Sequence, residues 1–535
     1  MCGIVGTWGT PDAALTGRLL DSIAHRGPDG HGDDRRPRGV VGHRRLAIMD
    51  PEGGAQPIPN DAGSMVVCAN GEIYNFPALR REIGATQRWR TGSDSEAILH
   101  LFESHDTEAT KKLRGMYAFA ILGDDRLVLA RDPIGIKPLY LGVGPGSDGT
   151  PVLAFSSELT GLCEWAGEVR EFPPGYVFDS RSGFRRFARP PAPAQEHGEV
   201  DDHVRHVRES LERAVTSHLM SDVPVGAFLS GGLDSSVIAA IARRHVDELH
   251  TFSVGTAGSP DLRAARRVAE HIGSTHHEYV ITDDDVRREL PDIVAHLESF
   301  DQDLVRSAIP THFCARLASR YVKVILTGEG ADELFAGYRY HHDYADYDAL
   351  HEELCRAVGT LHHINLQRVD RLTMRHGVEG RVPFLDTEFM HDALRVPAAL
   401  KMRAMPGAGA PGAGGPTAGA TSAAGQRPRT EKWVLRAACA DLLPEDIVWL
   451  VKAQFDEGSG IVGLIERSIG TLLEDARRQS GFDVRAHRAG ARERLRSDEE
   501  ALYHHLLTSR LSRPRTLLAN VARWTDRRVA TSRDA

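Results

Sequence analysis

The hydrophobic pattern changes part-way along the chain, and this change constrains the fold more than any other feature. As far as Phe187, short apolar segments such as SMVVCAN and MYAFAIL are broken by Gly, Pro, Asn and Asp, which predicts antiparallel strands of a sandwich. From His203, apolar runs such as PVGAFLS and VKVILTG alternate with helical periods such as SSVIAAIARRH, which predicts a parallel sheet with helices on both faces. The sequence therefore predicts an α/β protein with an α+β domain at 1–187, a linker at 188–202 and a second domain at 203–535.

Composition excludes several classes of function. The net charge is -9, opposite in sign to the surface that binds nucleic acid. No apolar run approaches the ~20 residues of a membrane-spanning helix, and the six cysteines are scattered, with no Cys-x-x-Cys pair and no signal peptide. We therefore expect a cytoplasmic protein without nucleic-acid or membrane partners. The segment 406–428, rich in Gly, Ala and Pro, is expected to be a mobile loop inside the second domain.

The chain begins MCGIVG, which places a cysteine directly behind the initiator methionine. If Met1 is removed, Cys2 carries both a thiol and a free α-amine, and an amine with a pKa near ~8 can act as the base for the thiol. Packing of Cys2 into a first strand is the alternative interpretation. These six residues alone leave both interpretations open.

Polar segments elsewhere in the first domain favour the nucleophile. HRGPDG, GHRRLAIMD, NGEIYN and TGSDSE each suit a turn or a strand end, but together with MCGIVG, in this order, they closely resemble the class II glutamine amidotransferases. The resemblance implies a four-layer α/β/β/α sandwich in which Cys2 attacks the side-chain amide of glutamine. It also implies that ammonia leaves and that water then releases glutamate from a thioester.

The same resemblance implies roles for the residues of this glutaminase site. The Asn70 side chain and the Gly71 backbone N–H would hold the oxyanion, and Arg45 would bind the glutamine carboxylate. Asp94 and the backbone of Glu72 would hold the ammonium group. The implied glutamine-binding residues are Arg45, Leu46, Ala47, Ile48, Met49, Asn70, Gly71, Glu72 and Asp94.

The second domain contains VPVGAFLSGGLDSSVIAAIARR, which predicts a strand, a glycine turn with serine hydroxyls, and a helix. Backbone N–H groups, hydroxyls and a helix N-terminus then point at one place that suits an anion. The Gly-Lys-Ser/Thr ending of a Walker loop is missing, and the string resembles the PP-loop of ATP pyrophosphatases, which cleave ATP to AMP and pyrophosphate. The resemblance implies a doubly wound parallel sheet and these ATP-binding residues: Phe228, Ser230, Gly231, Gly232, Asp234, Ser235, Val254, Thr327, Gly328 and Lys452.

Carboxylates cluster in VKVILTGEGADELFAGYRYHH, where Glu329, Asp332 and Glu333 follow a predicted parallel strand. Open sheets place their ligands at this end of their strands. Uncompensated, such carboxylates would repel one another, and Mg²⁺ prefers carboxylates together with phosphate oxygens. Asp234 and Asp332 are therefore the predicted Mg²⁺ ligands, and the resemblance implies that Glu329 acts in acyl-adenylate formation and in the ammonia step.

Nearly the whole chain resembles the glutamine-using asparagine synthetases, through these motifs and through ESFDQDLVRSAIP, GVEGRVPFLD and EEALYHH. The resemblance implies a ligase that converts L-aspartate, ATP, L-glutamine and water to L-asparagine, AMP, pyrophosphate and L-glutamate. It further implies an internal tunnel for ammonia. Relatives are often dimers, so a homodimer is expected.

Two residues depart from the usual motif near the acceptor site. Asp303 and Leu304 stand where this family commonly has two threonines, and an extra negative charge in the pocket would disfavour an acidic acceptor or favour a different one. One alternative is therefore the same chemistry on another carboxylic acid in a specialised pathway. A non-catalytic regulatory homologue is the second alternative, and the intact Cys2, Asp234 and Glu329 argue against it.

Overall fold

The computed structural model describes residues 2–84, 87–404, 429–450 and 455–523. The loop expected at 406–428 and the predicted ATP-binding residue Lys452 lie outside the described residues. Within the described ranges, no helix combines the length and the apolar character that crossing a membrane requires.

The first domain consists of short strands and four flanking helices within the described residues. The strands are β1 Gly3–Trp8, β2 Gly30–Arg36, β3 Gly39–Arg45, β4 Ile58–Pro59, β5 Met65–Ile73, β6 Gly115–Gly123, β7 Leu127–Arg131, β8 Tyr140–Pro145, β9 Pro151–Ser156, β10 Glu168–Glu171, β11 Tyr176–Asp179 and β12 Gly183–Arg186. The helices are α1 Ala13–Ser22, α2 Phe76–Ile83, α3 Ser95–His105 and α4 Leu159–Trp165. The strands form two sheets, in the orders β10-β8-β9-β1-β3-β2 and β12-β11-β7-β6-β5-β4.

Apolar residues on both faces of each sheet produce four layers. Between the sheets, Ile4 and Val41 share one buried cluster with Val66 and Ala118. The outer face of the first sheet is covered by α1 and α4, and that of the second by α2 and α3. The central strand β1 is buried along its whole length for this reason. The predicted α/β/β/α sandwich is therefore confirmed.

The second domain contains a parallel sheet and many helices. Its strands are β13 Val225–Phe228, β14 His250–Gly255, β15 Thr275–Val280, β16 Val324–Leu326 and β17 Glu379–Arg381, followed by the short pair β18 Arg403–Ala404 and β19 Arg429–Thr430. Its helices are α5 Val200–Ser217, α6 Leu233–Arg243, α7 Pro260–Ile272, α8 Asp283–Leu297, α9 Gln302–Ala318, α10 Ala331–Leu334, α11 Tyr347–Gly359, α12 Asn365–Met374, α13 Thr387–Arg395, α14 Ala398–Lys401, α15 Trp433–Ala438, α16 Glu445–Val448, α17 Phe455–Gly458, α18 Ile461–Ser480, α19 Val484–Gly490, α20 Asp498–Thr508 and α21 Pro514–Leu518. Helix α5 begins inside the predicted linker.

Helices cover both faces of the parallel sheet, whose strand order is β15-β14-β13-β16-β17. On one face, Val237 of α6 and Val268 of α7 share a cluster with Ala227 of β13. On the other, Leu290 of α8 and Val305 of α9 belong to a second cluster. The predicted doubly wound sheet is therefore confirmed. The order reverses between β13 and β16, and the loops that follow these two strands open a crevice at this point.

Helix α12 joins the two domains through buried charges. Arg26 of the first domain is fully buried and forms two hydrogen bonds with Asp370, of 2.8 and 3.0 Å. The adjacent Arg371 donates to the backbone oxygen of Ser157 over 3.0 Å and lies 2.9 Å from Glu298. Because such charges have left water, each needs its partner in place. These contacts therefore fix how α12 sits against the first domain.

Candidate active sites

Cys2 lies just before β1 and is 8% exposed, and both its backbone N–H and its backbone oxygen form hydrogen bonds with side chains. Its N–H donates to Oδ1 of Asn70 over 3.1 Å, and its backbone oxygen accepts from Arg26 over 3.1 Å. The Sγ atom lies 3.9 Å from the backbone oxygen of Leu46. Burial raises the pKa of the Cys2 thiol. The thiol therefore needs a base before it can attack a substrate.

Strand β5 places an amide donor beside this cysteine. Asn70 is fully buried, and its Nδ2 has no hydrogen-bond partner among the described residues. Because a buried donor without a partner costs stability, such a group in a native protein points to a ligand or to function. The next residue, Gly71, has a φ of 143°, and a Cβ there would overlap the backbone of Met116. Only glycine fits at this position.

Arg45 organises the loop that follows β3. Its guanidinium donates to the backbone oxygens of Asp50 and Pro51 over 2.6 and 2.9 Å. The Asp50 carboxylate in turn accepts the N–H of Gly92 over 2.7 Å. These bonds hold residues 46–51 beside the segment that leads into α3. The two segments that the sequence predicted to hold glutamine therefore lie side by side.

Two buried carboxyl groups lie next to this segment. Asp94 accepts the N–H of Ile73 over 2.6 Å, and burial raises the pKa of Asp94 to about 6. The Glu72 side chain lies 3.3 Å from Nη2 of Arg381 in the second domain, and burial raises the pKa of Glu72 well above its usual value. Shifts of this kind are concentrated at functional sites, where a cationic ligand would favour the ionised form.

In the second domain, hydrogen bonds to its own serine hydroxyls stabilise the loop after β13. The N–H of Ser230 donates to Oγ of Ser235 over 3.1 Å, and the N–H of Gly232 donates to Oγ of Ser230 over 3.3 Å. Gly231 has a φ of 76°, and a Cβ there would overlap the backbone of Ala265. Helix α6 starts directly after the loop. The N–H groups of its first turn and the serine hydroxyls together suit a phosphate chain.

A cavity opens between this loop and the loop after β16. Most of the predicted ATP-binding residues line it: Phe228, Ser230, Asp234, Ser235, Val254, Thr327 and Gly328. Glu329 and Asp332 line the same cavity, whereas Gly231 and Gly232 shape the loop without lining it. The cavity therefore has serine hydroxyls and carboxylates in the crevice where the strand order reverses.

A lysine lies between the two predicted Mg²⁺ ligands. Nζ of Lys432 is 2.6 Å from both carboxylate oxygens of Asp234 and 2.6 Å from Oδ1 of Asp332. The protein therefore supplies a cation of its own to these two carboxylates, and Mg²⁺ binding by Asp234 and Asp332 stays a prediction. The oxygens of the pair, which line the cavity, nevertheless remain a donor set that suits Mg²⁺ together with phosphate oxygens.

Helix α12 supplies further polar groups to the cavity. Arg368 pairs with Glu329, is only 7% exposed, and has no partner for its Nε among the described residues. Asn365 donates from Nδ2 to the Tyr338 hydroxyl over 3.1 Å, and that hydroxyl donates to Glu333 over 2.7 Å. The same helix that contacts Arg26 thus also forms part of the cavity wall.

Comparisons with known proteins cover both domains. A glutamine amidotransferase domain model matches residues 1–173, and an asparagine synthase model matches residues 206–347 and 342–526. Asparagine synthetase (glutamine-hydrolyzing) from Asparagus officinalis is 39% identical over 86% of this chain and 78% of that protein. The chain belongs to the asparagine synthetase family.

A second relative agrees with this membership of the asparagine synthetase family. The asparagine synthetase (glutamine-hydrolyzing) of Sandersonia aurantiaca is 37% identical over 86% of this chain and 87% of its own length. Among solved structures, a glutamine phosphoribosylpyrophosphate amidotransferase from B. subtilis is 18% identical and matches 52% of this chain and 81% of its own, with a TM-score of 0.31. A TM-score this low carries no argument.

In this member of the asparagine synthetase family, the two residues that depart from the usual motif, Asp303 and Leu304, have different surroundings. Asp303 lines the cavity, whereas Leu304 is 1% exposed and packs into the apolar core with Val305. Leu304 therefore does not belong to the cavity wall. The reason is helical geometry, since neighbours on α9 point in different directions.

Three polar residues with buried ion pairs in this family member were not predicted from the sequence: Lys432, Arg368 and Asp370. Their partners are 198, 39 and 344 residues away along the chain, so no local pattern reveals them. Arg26 could have been predicted, because it lies inside the HRGPDG segment. That segment resembles a motif of the class II glutamine amidotransferases, which marks its arginine as a candidate site residue.

Proposed function

We propose that the protein is a glutamine-dependent asparagine synthetase, which uses ATP to join the ammonia of glutamine to the side-chain carboxylate of aspartate. The observation that carries the proposal is the pairing of two half-sites in one chain. One is Cys2 beside Asn70, whose Nδ2 has no hydrogen-bond partner among the described residues, and the other is the cavity around Ser230 and Glu329. Family membership supports the same conclusion.

In the glutaminase half, Cys2 Sγ attacks the side-chain amide carbon of glutamine. After loss of Met1, the thiol proton passes to the Cys2 α-amine, which already lies beside Asn70 through its N–H. Nδ2 of Asn70 and the backbone N–H of Gly71 stabilise the oxyanion. The C–N bond then breaks, the proton leaves with ammonia, and water hydrolyses the thioester to glutamate and the free thiol.

In the synthetase half, the aspartate side-chain carboxylate attacks the α-phosphorus of ATP, and pyrophosphate leaves. The Ser230 loop and the start of α6 hold the phosphates through hydroxyl and backbone N–H donors that are fixed in place. Ammonia then attacks the acyl carbon and AMP leaves. Glu329, which lines the cavity and is oriented by Arg368, takes the proton that the ammonia loses.

The proposal includes Mg²⁺ as the partner of ATP. Asp234 and Asp332 would hold the ion, and bound Mg²⁺ neutralises charge on the phosphates. Lys432 keeps the two carboxylates 2.6 Å from one ammonium group, so the pair is already assembled before an ion arrives. A cytoplasmic location and a homodimer are further parts of the proposal.

Ammonia is proposed to travel inside the protein, because in bulk water it would become protonated and lose its nucleophilic lone pair. Leu46, beside Cys2, and Met116, beside Gly71, belong to one buried apolar cluster with Ala227 and Leu385 of the second domain. One part of the contact between the domains near Cys2 is therefore apolar, next to the charged contact of Glu72 with Arg381. An apolar path favours neutral ammonia over the ammonium ion.

A second candidate is the same chemistry on another carboxylic acid, and Asp303 in the cavity wall motivates it. Its carboxylate lies 3.0 Å from Nη1 of Arg496, so part of its charge is neutralised. The residue therefore does not exclude a dicarboxylic acceptor, and aspartate stays the leading substrate.

The test is one assay of the full-length protein with Mg-ATP, glutamine and aspartate that follows asparagine, glutamate, AMP and pyrophosphate together. Equal amounts of all four products are expected. Glutamate without asparagine or AMP would overturn aspartate as the acceptor and direct the search to other acids. In Cys2→Ala, we expect synthesis from added ammonium to persist while glutamine-dependent synthesis is lost, and loss of both would contradict two separate sites.

A further inference from the structure

Three metal-ligating side chains meet where the two domains touch. Glu171 ends β10 in the first domain, while His362 and His363 belong to a 3₁₀ turn, Leu361–His363, just before α12 in the second. One ligand atom from each of the three side chains lies within 4.8 Å of the other two. Across the described ranges, no other group of three or more His, Cys, Asp or Glu side chains converges in this way. None of the three lines the cavity around Ser230, so the cluster is separate from that site.

The Glu171 carboxylate faces both imidazole rings. Its Oε1 lies 2.8 Å from Nδ1 of His362, and its Oε2 lies 3.1 Å from Nδ1 of His363. A neutral imidazole holds its proton on either nitrogen, so each Nδ1 can offer a lone pair to an ion while Nε2 carries the proton. Zinc binds nitrogen and oxygen at about 2.0–2.2 Å, which places tetrahedral ligands roughly 3.4 Å apart. The separations within the cluster are close to this size.

Arg131 holds the Glu171 carboxylate in this orientation. Its Nη1 lies 2.6 Å from Oε1 of Glu171, and its side chain is 1% exposed. The same guanidinium donates to three backbone oxygens, those of Lys137, Phe172 and Gly135, over 2.6, 2.7 and 3.1 Å. A partner behind a metal ligand commonly fixes the direction of that ligand. Because the positive charge also opposes a divalent ion, we expect micromolar affinity, weaker than that of a purely anionic site.

The cluster is open to solvent on one side. The side chain of His363 is 40% exposed, compared with 10% for His362 and 18% for Glu171. An ion can therefore enter past His363, and water can occupy a fourth position. Two nitrogen donors and one carboxylate suit zinc, whereas Mg²⁺ and Ca²⁺ prefer sites made of oxygen alone.

We propose that Glu171, His362 and His363 form a zinc site that connects the first domain to the start of α12. The same helix carries Arg368, which lines the cavity, and Asp370, which pairs with Arg26. A bound ion adds to the buried charges that hold this helix against the first domain. The inference goes beyond the proposed function, because it concerns the binding of an ion and no step of the reaction.

Calorimetric titration of the full-length protein with zinc chloride, after dialysis against a chelator, tests the site. We expect one ion to bind in the wild type and to be lost in Glu171→Gln and in His363→Gln. The affinity should fall at least ~10- to 100-fold, the loss that removing even a residue behind a metal ligand causes. Because His363 is the most exposed of the three, His363→Gln keeps the test valid if Glu171→Gln, which also loses its pair with Arg131, does not fold.

Cobalt gives a second readout of the same site. A four-coordinate Co²⁺ ion absorbs visible light far more strongly than a six-coordinate ion does. Adding Co²⁺ should therefore produce intense absorption in the wild type and not in His363→Gln. Weak absorption in both proteins would contradict a four-coordinate site.

The matched control is the double variant His276→Gln and His277→Gln. It removes another adjacent histidine pair with a glutamate nearby, since His276 lies 3.3 Å from Glu278. Neighbouring residues on β15 point to opposite faces of the sheet, so these side chains do not converge on one ion. The zinc affinity of this variant should equal that of the wild type.

Several results would overturn the zinc site. One is a wild type that binds no zinc, and another is equal zinc affinity in the wild type, Glu171→Gln and His363→Gln, because the ion then binds elsewhere. A loss of affinity in the control as large as in His363→Gln would mean nonspecific binding to histidines. Displacement of zinc by an equal concentration of Mg²⁺ would contradict a site with nitrogen ligands. Zinc should also raise the melting temperature of the wild type more than that of His363→Gln, and equal shifts would place the ion at another site.

Discussion

At the scale of single residues, the two polar atoms of the Asn70 side chain have different surroundings. Oδ1 accepts the N–H of Cys2 over 3.1 Å, whereas Nδ2 has no hydrogen-bond partner among the described residues. One atom therefore positions the proposed nucleophile, and the other is available to the oxyanion of the proposed reaction. This division makes the two roles separable by mutation.

Asn70→Asp keeps the oxygen that accepts from Cys2 and removes the amide donor. We expect the glutaminase kcat to fall by ~100- to 1000-fold with little change in the KM for glutamine, because the donor acts mainly in the transition state. Ammonium-dependent synthesis should be unchanged and serves as the folding control. A kcat close to that of the wild type would remove Asn70 from the oxyanion site.

The pKa of Asp94, raised by burial to about 6, predicts the pH dependence of glutamine binding. Above this pKa the carboxylate is ionised and attracts the glutamine ammonium group. Below it a proton competes, so the affinity should fall by up to ~tenfold per pH unit as the pH decreases. Calorimetric binding of glutamine to Cys2→Ala, in which no chemistry occurs, measures this directly.

Asp94→Asn is the matched control for this titration. Its glutamine affinity should be low at every pH and should lose the dependence near pH 6, because asparagine has no carboxyl group to titrate at this position. If the variant kept the same pH profile as its parent, the titrating group would be another residue.

At the scale of elements, α12 holds buried charges of the first domain, and losing these contacts should destabilise the protein. Asp370→Ala leaves the fully buried Arg26 without its main partner, and breaking such a pair costs about 3–5 kcal/mol. Arg375→Ala removes an exposed pair, with side chains 36% and 34% exposed, and should cost less than about 1 kcal/mol. Urea unfolding compares the two, and equal losses would show that the junction is not a stabilising contact.

The position of Lys432, next to α15, allows a prediction about Mg²⁺ binding by Asp234 and Asp332. Lys432→Met removes the ammonium group between Asp234 and Asp332, whose carboxylates then repel each other. We expect the free energy of unfolding to fall by about 3 kcal/mol. This is the lower end of the range for breaking a buried ion pair, because both carboxylates line the cavity. Added Mg²⁺ should raise the melting temperature of the variant more than that of the wild type, since the ion replaces the missing ammonium. Equal shifts would argue against Mg²⁺ at this pair.

The elements themselves were predictable because their patterns are local. Alternating short apolar segments indicated the sandwich, and runs such as VKVILTG followed by helical periods indicated the parallel sheet. The side chains that complete the cavity were not predictable in the same way. Lys432 is 198 residues from Asp234, and neither its neighbours nor its residue type distinguishes it from a surface lysine. Only the folded chain brings such groups together.

At the scale of the whole molecule, the two half-sites share one boundary. Arg26 donates to the backbone oxygen of Cys2 and also holds Asp370 on α12. Two residues before Asp370, Arg368 pairs with Glu329. The proposed nucleophile of one reaction and the proposed base of the other are thus linked through one helix and a few buried ion pairs. Rigid contacts of this kind suit the direct transfer of a small intermediate.

Isotope labelling tests whether ammonia stays inside the protein. The reaction is run with glutamine labelled with ¹⁵N in its side-chain amide, in the presence of excess unlabelled ammonium, and the product is analysed by mass spectrometry. If the apolar contact around Leu46 and Met116 lies on the path, asparagine should keep more of the label than full mixing with the added ammonium would leave, because ammonia released at Cys2 reaches the synthetase half before it equilibrates with the solvent. The Asp370→Ala variant should lose label, since its domain junction is weakened while Cys2 and Asn70 are unchanged. Full exchange in the wild type would mean that ammonia passes through solvent and that the junction serves stability alone.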